Sequence, residues 1–205
     1  MENPEKSYSR AEINKAVNSV DNGPAGGRSL NDYMKEFDIK PLDLEGKRVL
    51  DLGAAVGLRV ADELKARAIT ADVVSFSPIF ADPTFRSQAR LMSSPEAASL
   101  AVAGMGETLP FQDGSFDTVL ALQVYQYLDT PKRESDFLKE LVRVLAPNGQ
   151  AYVGPFFIEQ EFDTLKSIAM KQMVGESASV SWREPEWRKT DKHAWVMRVT
   201  KAEKK

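Results

Sequence analysis

From Arg48 onward, short apolar runs alternate with longer amphipathic segments, and this alternation is the feature that most constrains the fold. The apolar runs predict strands because they are short, rich in β-branched and aromatic residues, and bounded by glycine or polar residues. They cover residues 49–52, 71–76, 99–102, 116–122 and 151–153. Strands separated by helices form right-handed βαβ units, so we expect a mostly parallel sheet covered by helices on both faces.

The clearest helix follows the fourth strand. Thr130 can cap it, Pro131 suits its first turn, and the turn residues 147–149 can end it. Further helices are predicted from the spacing of apolar residues over 56–64, 80–92 and 158–169. Two last strand-like runs, 178–182 and 194–200, have no helix between them and predict an antiparallel pair. The fold class is therefore α/β, a three-layer sandwich around a seven-stranded sheet.

The first 46 residues have a different pattern. Apolar residues recur at helical spacing in two short segments, which flank the turn-forming stretch 22–27. The apolar positions are Ile13, Val17, Val20, Leu30, Tyr33, Met34 and Phe37. We predict a helical cap or appendage over 1–46, an α/β domain over 47–200 and a frayed tail over 201–205. The cap could act as a mobile cover over a site, or it could contribute packing alone.

Composition excludes several kinds of site. The chain has no cysteine, which rules out disulfides, thiolate zinc sites and cysteine nucleophiles. His193 is the only histidine and gives no metal site by itself. The formal charge of −3 argues against a dedicated nucleic-acid binder, which usually carries a basic excess. The sequence shows no signal peptide and no apolar run of membrane-spanning length, so we expect a cytoplasmic protein without a membrane partner.

Three segments carry recognisable motifs: residues 49–57, 104–128 and 140–149. In order and spacing they resemble class I S-adenosylmethionine-dependent methyltransferases, and the second segment resembles their small-molecule branch. The resemblance covers about residues 47–155. It implies a Rossmann-like methyltransferase fold whose ligands bind at the carboxyl ends of the strands. It also implies S-adenosylmethionine as cofactor and a small molecule as methyl acceptor, with no nucleic acid expected and the oligomeric state left open.

The first motif places Asp51 at the end of the first strand and continues with Gly53, Ala55 and Gly57. Glycines permit a sharp turn and a close approach of the backbone to a ligand. The resemblance implies that these four residues line the cofactor. Ala55, however, adds a methyl group where the family has a glycine. The alternative is that the motif only shapes a tight turn between a strand and a helix.

Two further positions depart from the family pattern. Ser75, followed by Phe76, stands where the family has an acidic residue that holds the ribose hydroxyls. Met105, followed by Gly106 and Glu107, stands where the family has an aspartate at the adenine. A hydroxyl or thioether recognises these groups more weakly than a carboxylate. The resemblance therefore implies a non-standard, degenerate cofactor site, unless Ser75 only satisfies nearby backbone and Met105 only fills core space.

The segment after the fourth strand completes the predicted site. Gln123 is predicted to contact the cofactor, and Tyr125 and Tyr127 to line the substrate cavity. No catalytic residue can be assigned, although Glu107 is a remote candidate for a general base. Two hypotheses result: methyl transfer to a small-molecule acceptor through a non-standard pocket, or a non-catalytic methyltransferase-like domain that serves as a binding or regulatory partner.

Overall fold

The computed structural model describes residues 27–156, 167, 178–185 and 195–203. Its helices are α1 (Leu30–Phe37), α2 (Arg59–Ala66), α3 (Pro83–Met92), α4 (Pro95–Ser99) and α5 (Pro131–Val144). Its strands are β1 (Arg48–Leu52), β2 (Asp72–Phe76), β3 (Ala101–Val102), β4 (Phe116–Leu122), β5 (Leu145–Phe156), β6 (Ala178–Arg183) and β7 (Trp195–Lys201). The predicted first cap helix, the body of the predicted helix 158–169, and His193 lie outside the described residues.

The seven strands form one sheet in the order β3-β2-β1-β4-β5-β7-β6. The first five strands are parallel, and β7 runs antiparallel to both β5 and β6. This confirms the predicted mostly parallel sheet with an antiparallel C-terminal pair. The last strand in the chain is not at the edge, however, because β7 lies between β5 and β6.

Alternate side chains along each strand enter different cores, as the two-residue period of a strand requires. In β1, Leu50 and Leu52 pack with α5, whereas Val49 packs with α1 and α2 on the other face. Asp51, between two residues of the α5 face, therefore points toward the α1 face. The sheet is buried on both faces, which explains the almost continuous apolar character of the strands.

Two predicted boundaries were wrong. The run 99–102 shortens to a two-residue β3, because Ser94 caps a short helix and Pro95 begins it, so that Ser99 is helical. The fifth strand begins at Leu145 rather than after the predicted turn at 147–149. The turn residues form an irregularity within β5, where the register against β4 shifts. A short apolar run does not show locally whether it forms a strand or the end of a short helix. Turn residues likewise do not show whether they separate two elements or interrupt a single strand.

Strand order places the expected ligand edge near the centre of the sheet. The chain leaves β1 toward β2 on one side, while β4 pairs with β1 on the other. Open α/β sheets bind ligands at such a switch point, at the carboxyl ends of the strands. Within the part of the chain that the structure describes, no helix is long and apolar enough to cross a membrane.

Candidate cofactor site

The turn after β1 requires glycine at Gly53. This residue has φ +87°, and its N–H donates to the carbonyl of Phe76 at 2.7 Å. A Cβ at Gly53 would lie 2.5 Å from Cγ2 of Val124, in the segment after β4. The bare backbone thus lets the loops that follow β1 and β4 meet at the same edge. Gly57 is buried where this turn runs into α2.

The extra methyl group of Ala55 contacts the segment that precedes α1. A Cβ built on Gly27, which has φ +87°, would lie 2.5 Å from Cβ of Ala55. Arg59 Nη1 donates to the carbonyl of Gly27 at 3.3 Å and adds a second contact from α2. Gly27 therefore lies directly against Ala55 at the turn after β1.

Asp51 is buried, and the Tyr33 hydroxyl donates to its Oδ1 at 2.7 Å. Tyr33 lies in the first turn of α1, which Ser29 caps through a reciprocal pair of hydrogen bonds with Asp32. Burial raises the pKa of Asp51 from 3.8 to about 7, and the hydrogen bond from Tyr33 opposes that rise. Burial, followed by the charge of Asp51, raises the pKa of Tyr33. The pair holds a titratable carboxyl at the ligand edge.

Ser75 is the register partner of Asp51 on the neighbouring strand β2, so the two side chains share a face. Its Oγ is buried and has no hydrogen-bond partner among the described residues. Phe76 points to the opposite face and packs edge-on against Phe111, with its ring against Gly104. The structure thus places Ser75 beside Asp51 and Phe76 in the core.

The loop after β3 is fastened to α5. A Cβ at Gly106 would lie 2.9 Å from Phe137, and Met105 is half-buried. Glu107 forms an ion pair with Arg133, which also donates to the carbonyl of Tyr127 at 3.1 Å and to Asp129 at 3.0 Å. Arg133 therefore joins the loops that follow β3 and β4. The Glu107 carboxylate is thus engaged by a guanidinium, and its role as a general base stays a prediction.

The three predicted site residues after β4 differ in their exposure and contacts. Gln123 has φ +58°, and its N–H donates to the carbonyl of Gly154 at 2.7 Å. Tyr125 is buried, and its ring lies edge-on to Phe156 with centroids 4.8 Å apart. Tyr127 is 39% exposed. Only Tyr127 presents an accessible ring, and the substrate-lining role of the two tyrosines stays a prediction.

Tyr33 and Arg133 were not among the predicted site residues. The periodicity around Tyr33 indicated a buried helix face, but its partner depends on how α1 docks. Arg133 carried a signal: it lies in the first turn of α5, where the helix dipole disfavours a cation. A cation at that position suggests specific acidic partners, which here are Glu107 and Asp129.

Two clefts among the described residues lie away from this edge. One cleft of about 460 Å³ lies between α2, α4 and β2, and a polar one of about 260 Å³ lies near Asp38, Tyr152 and Arg198. Neither is lined by a predicted site residue, so the strand ends and their chemistry define the candidate site. Among the described residues, no group of three or more aspartate, glutamate or histidine side chains could hold a metal ion.

The residues at this edge fit S-adenosylmethionine in chemical character. The cofactor carries an ammonium and a sulfonium, which a carboxylate such as Asp51 complements. It also carries ribose hydroxyls, which could bond to Ser75 Oγ, since that atom has no partner among the described residues. The first turn of α2 has no side-chain cap, so its N–H groups could receive the cofactor's carboxylate.

Comparison with known proteins supports the same fold. The profile of the methyltransferase domain family matches residues 50–153. The solved structure of the N-methyltransferase NodS from Bradyrhizobium japonicum superposes with a TM-score of 0.59 at 13% identity. The superposition covers 84% of this chain and 96% of that chain. At this low identity the likeness shows the fold alone.

Two curated relatives match over shorter stretches. The biotin biosynthesis bifunctional protein BioHC of Cellvibrio japonicus is 33% identical over 129 residues, 63% of this chain and 22% of the relative. The tRNA (carboxymethyluridine(34)-5-O)-methyltransferase alkbh8 of Xenopus tropicalis is 32% identical over 65 residues, 32% of this chain and 10% of the relative. The matched part is thus less than a quarter of either relative, and a tRNA methyltransferase among them leaves the expected exclusion of nucleic acid unsupported. The family profile matches more than half of the residues of this chain. The chain therefore belongs to the methyltransferase domain family, the class I methyltransferases whose cofactor is S-adenosylmethionine.

Proposed function

We propose that this chain binds S-adenosylmethionine at the carboxyl edge of β1, β2 and β4 and catalyses methyl transfer to a small-molecule acceptor. The observation that carries the proposal is the juxtaposition of Asp51 and Ser75 in register at the ends of two neighbouring strands. One is a buried carboxyl and the other a buried hydroxyl without a partner among the described residues. Polar groups are rarely left so in a core, because burial without hydrogen bonds is costly.

The residues have separate roles in this proposal. Asp51 complements the cationic end of the cofactor, and Ser75 bonds a ribose hydroxyl. Gly53 and Gly57 keep the backbone close to the cofactor, while Met105 offers a polarizable surface to the adenine. The cofactor supplies a methyl group already activated on a sulfonium, so the protein contributes mainly the alignment of acceptor and methyl group.

A small acceptor agrees with the charges around this edge. A polynucleotide substrate requires a basic surface that neutralises phosphates. Here Arg59 is paired with Glu63, and Arg133 is engaged by Glu107. The net charge of the chain is also slightly negative. These guanidiniums hold the fold together at the edge and are poorly placed to bind a phosphate backbone.

A second candidate function is a non-catalytic domain that serves as a binding or regulatory partner. Ser75 and Met105 favour it, because both stand where relatives place an acidic side chain for the cofactor. This function predicts the same fold with little affinity for S-adenosylmethionine. The two candidates therefore separate on ligand binding before any acceptor is known.

The test is a thermal-shift and calorimetric titration with S-adenosylmethionine and S-adenosylhomocysteine. A ligand at 100 times its dissociation constant should stabilise the fold by about 2.7 kcal/mol. Asp51→Asn should weaken binding, whereas Asp72→Asn, an exposed change at the other end of β2, should not. Absence of binding at millimolar ligand would favour the non-catalytic function.

The acceptor class is tested separately. Transfer of labelled methyl from S-adenosylmethionine should occur to members of a panel of small amines, carboxylic acids and phenols. A panel of unmodified transfer RNAs serves as the competing substrate class. Methylation of RNA without methylation of any small molecule would contradict the proposed acceptor while leaving the methyltransferase activity in place.

A further inference from the structure

Helix α1 is attached directly to the candidate site. The Tyr33 hydroxyl reaches Oδ1 of Asp51 at 2.7 Å, in a buried environment. The helix is held over this position by α2, since Leu30 N–H donates to Glu63 at 3.0 Å and Arg67 donates to Asn31 at 2.7 Å. Tyr33 is the donor of the hydrogen bond that the structure gives the Asp51 carboxylate.

We propose that Tyr33 is a positioning residue of the cofactor site: its hydroxyl orients the Asp51 carboxylate and favours its charged form, so that cofactor affinity depends on the docking of α1. The inference rests on the proposed function for its consequence, which is tighter binding of a cationic cofactor. The contact itself belongs to the unliganded protein and can be tested without a ligand.

Physical chemistry gives this contact a direction. A hydrogen bond to the ionised form of a carboxyl favours that form, and it offsets part of the penalty that burial imposes on charge. Burial raises the pKa of Asp51 to about 7, and the bond from Tyr33 pulls it down. Without the hydroxyl, the pKa of Asp51 should therefore rise further, and at neutral pH more of the protein should carry a protonated, neutral Asp51.

Other charged groups near the pair act on Tyr33 in opposite directions. The charge of Arg28 lowers the pKa of Tyr33, and that of Asp32 raises it. From α2, Arg59 and Glu63 pair with each other close to Leu30. For Asp51 itself, burial and Tyr33 are the causes of its shifted pKa. Removing the Tyr33 hydroxyl is therefore a direct way to change the charge of Asp51.

The experiment compares wild type with Tyr33→Phe in calorimetric titrations with S-adenosylhomocysteine from about pH 6 to 8.5. Loss of a charge-assisted hydrogen bond should weaken binding by about tenfold at the acid end. The difference should shrink as the pH rises toward 8.5, because a growing fraction of Asp51 is then ionised in both proteins. A structural role alone would weaken binding by the same factor at every pH, and that result would overturn the proposal.

A ligand-free measurement keeps the proposal testable if no ligand binds. The melting temperature of wild type should fall with rising pH up to about pH 7, because the folded protein binds the Asp51 proton more tightly than the unfolded chain. In Tyr33→Phe this fall should continue to higher pH. If it does so and S-adenosylhomocysteine binds neither protein, the proposed function fails and the role of Tyr33 toward Asp51 stands. An unchanged profile overturns that role.

Tyr152→Phe is the matched control. Tyr152 also donates from its hydroxyl at 2.7 Å, to Gln150, and its ring stacks on Phe37 of the same helix α1. The change removes a tyrosine hydroxyl from the same face of the sheet without touching Asp51. Its binding curve and its pH profile should match those of wild type, and an equal pH shift in Tyr152→Phe would also contradict the proposal.

Discussion

Gly27 and Ala55 cross so closely that a Cβ on Gly27 would lie 2.5 Å from Cβ of Ala55. This contact joins the segment that precedes α1 to the loop after β1. The methyl group of Ala55 therefore lies against that segment. A substitution at Gly27 should therefore displace the loop after β1 at the candidate cofactor site.

Gly27→Ala should destabilise the fold by about 1–3 kcal/mol, because it adds both a positive-φ strain and an overlap with Ala55. It should also weaken binding of S-adenosylhomocysteine through the displaced loop. Gly46→Ala separates the two causes, since Gly46 has φ +69° but nothing within 4 Å of an added Cβ. Urea unfolding and calorimetry measure both effects. Equal destabilisation by the two changes would contradict the role of the contact with Ala55.

Arg133→Ala should loosen the loops after β3 and β4 together. It releases Glu107, the carbonyl of Tyr127 and Asp129 at once, and we expect a loss of about 1–2 kcal/mol in the free energy of unfolding. Ligand affinity should fall as well, because Met105 and Gly106 lie in one of these loops. The control is Lys132→Ala, which removes an exposed neighbour paired with Asp136 on the same helix. Should both variants bind equally well, Arg133 does not organise the site.

Asp51 should make the stability of the protein depend on pH. Its pKa is about 7 in the folded protein and about 4 in an unfolded chain, so the folded state binds the proton more tightly. The free energy of unfolding should therefore fall as pH rises from about 4 to 7, by at most about 1.4 kcal/mol per pH unit, and level off above. Denaturant unfolding of Asp51→Asn across this range should show a flatter profile, whereas Asp72→Asn should keep the slope.

Ser75→Asp should strengthen ligand binding at a cost to the ligand-free protein. A carboxylate on the ribose hydroxyls should tighten S-adenosylhomocysteine binding by about one to two decades. The new acid would lie in register with Asp51 in a buried site, where like charges disfavour ionisation. We therefore expect a lower melting temperature without ligand. Ser75→Ala is the control, and it should bind more weakly than wild type.

Met105→Asp should add to this gain with a smaller structural cost, since Met105 is only half-buried. Calorimetry on both single changes and the double change measures whether the gains combine. If the folded double variant binds S-adenosylhomocysteine no more tightly than wild type, the missing carboxylates at positions 75 and 105 do not limit the affinity of the site.

Much of the sheet could be predicted because strand and helix periods are local properties of the sequence. Strand β4 has a long apolar run, and helix α5 has a long periodic one with an N-cap at Thr130. Both elements were predicted within two residues. The run 99–102 predicted a strand at the position of β3, but its shortening to two residues could not be predicted, since the extent of β3 depends on pairing with Ser75 and Phe76 of β2. The insertion of β7 between β5 and β6 is likewise a matter of topology that local patterns do not carry.

The placement of the candidate site residues was predictable where they lie at strand ends and not where side chains from distant segments meet. Asp51 and Ser75 follow from their positions at the ends of successive parallel strands. The Tyr33 contact with Asp51 joins residues 18 positions apart and depends on the docking angle of α1. Tyr125 lies just after β4, as expected, but its ring packs against Phe156 in the core. Sequence position indicates the edge of a sheet more readily than the direction of a side chain.

The place of β7 in the sheet bears on how the chain folds while it is being synthesised. Strand β7 lies between β5 and β6, and it is synthesised after both of them. Until Trp195–Lys201 leaves the ribosome, β6 has no neighbouring strand, and β5 lacks its neighbour on the side away from β4. Lys201 then donates to the carbonyls of Val142, Arg143 and Leu145 at the end of α5. The nascent chain therefore carries open strand edges, the kind that pair with other chains, until its seventh strand has left the ribosome.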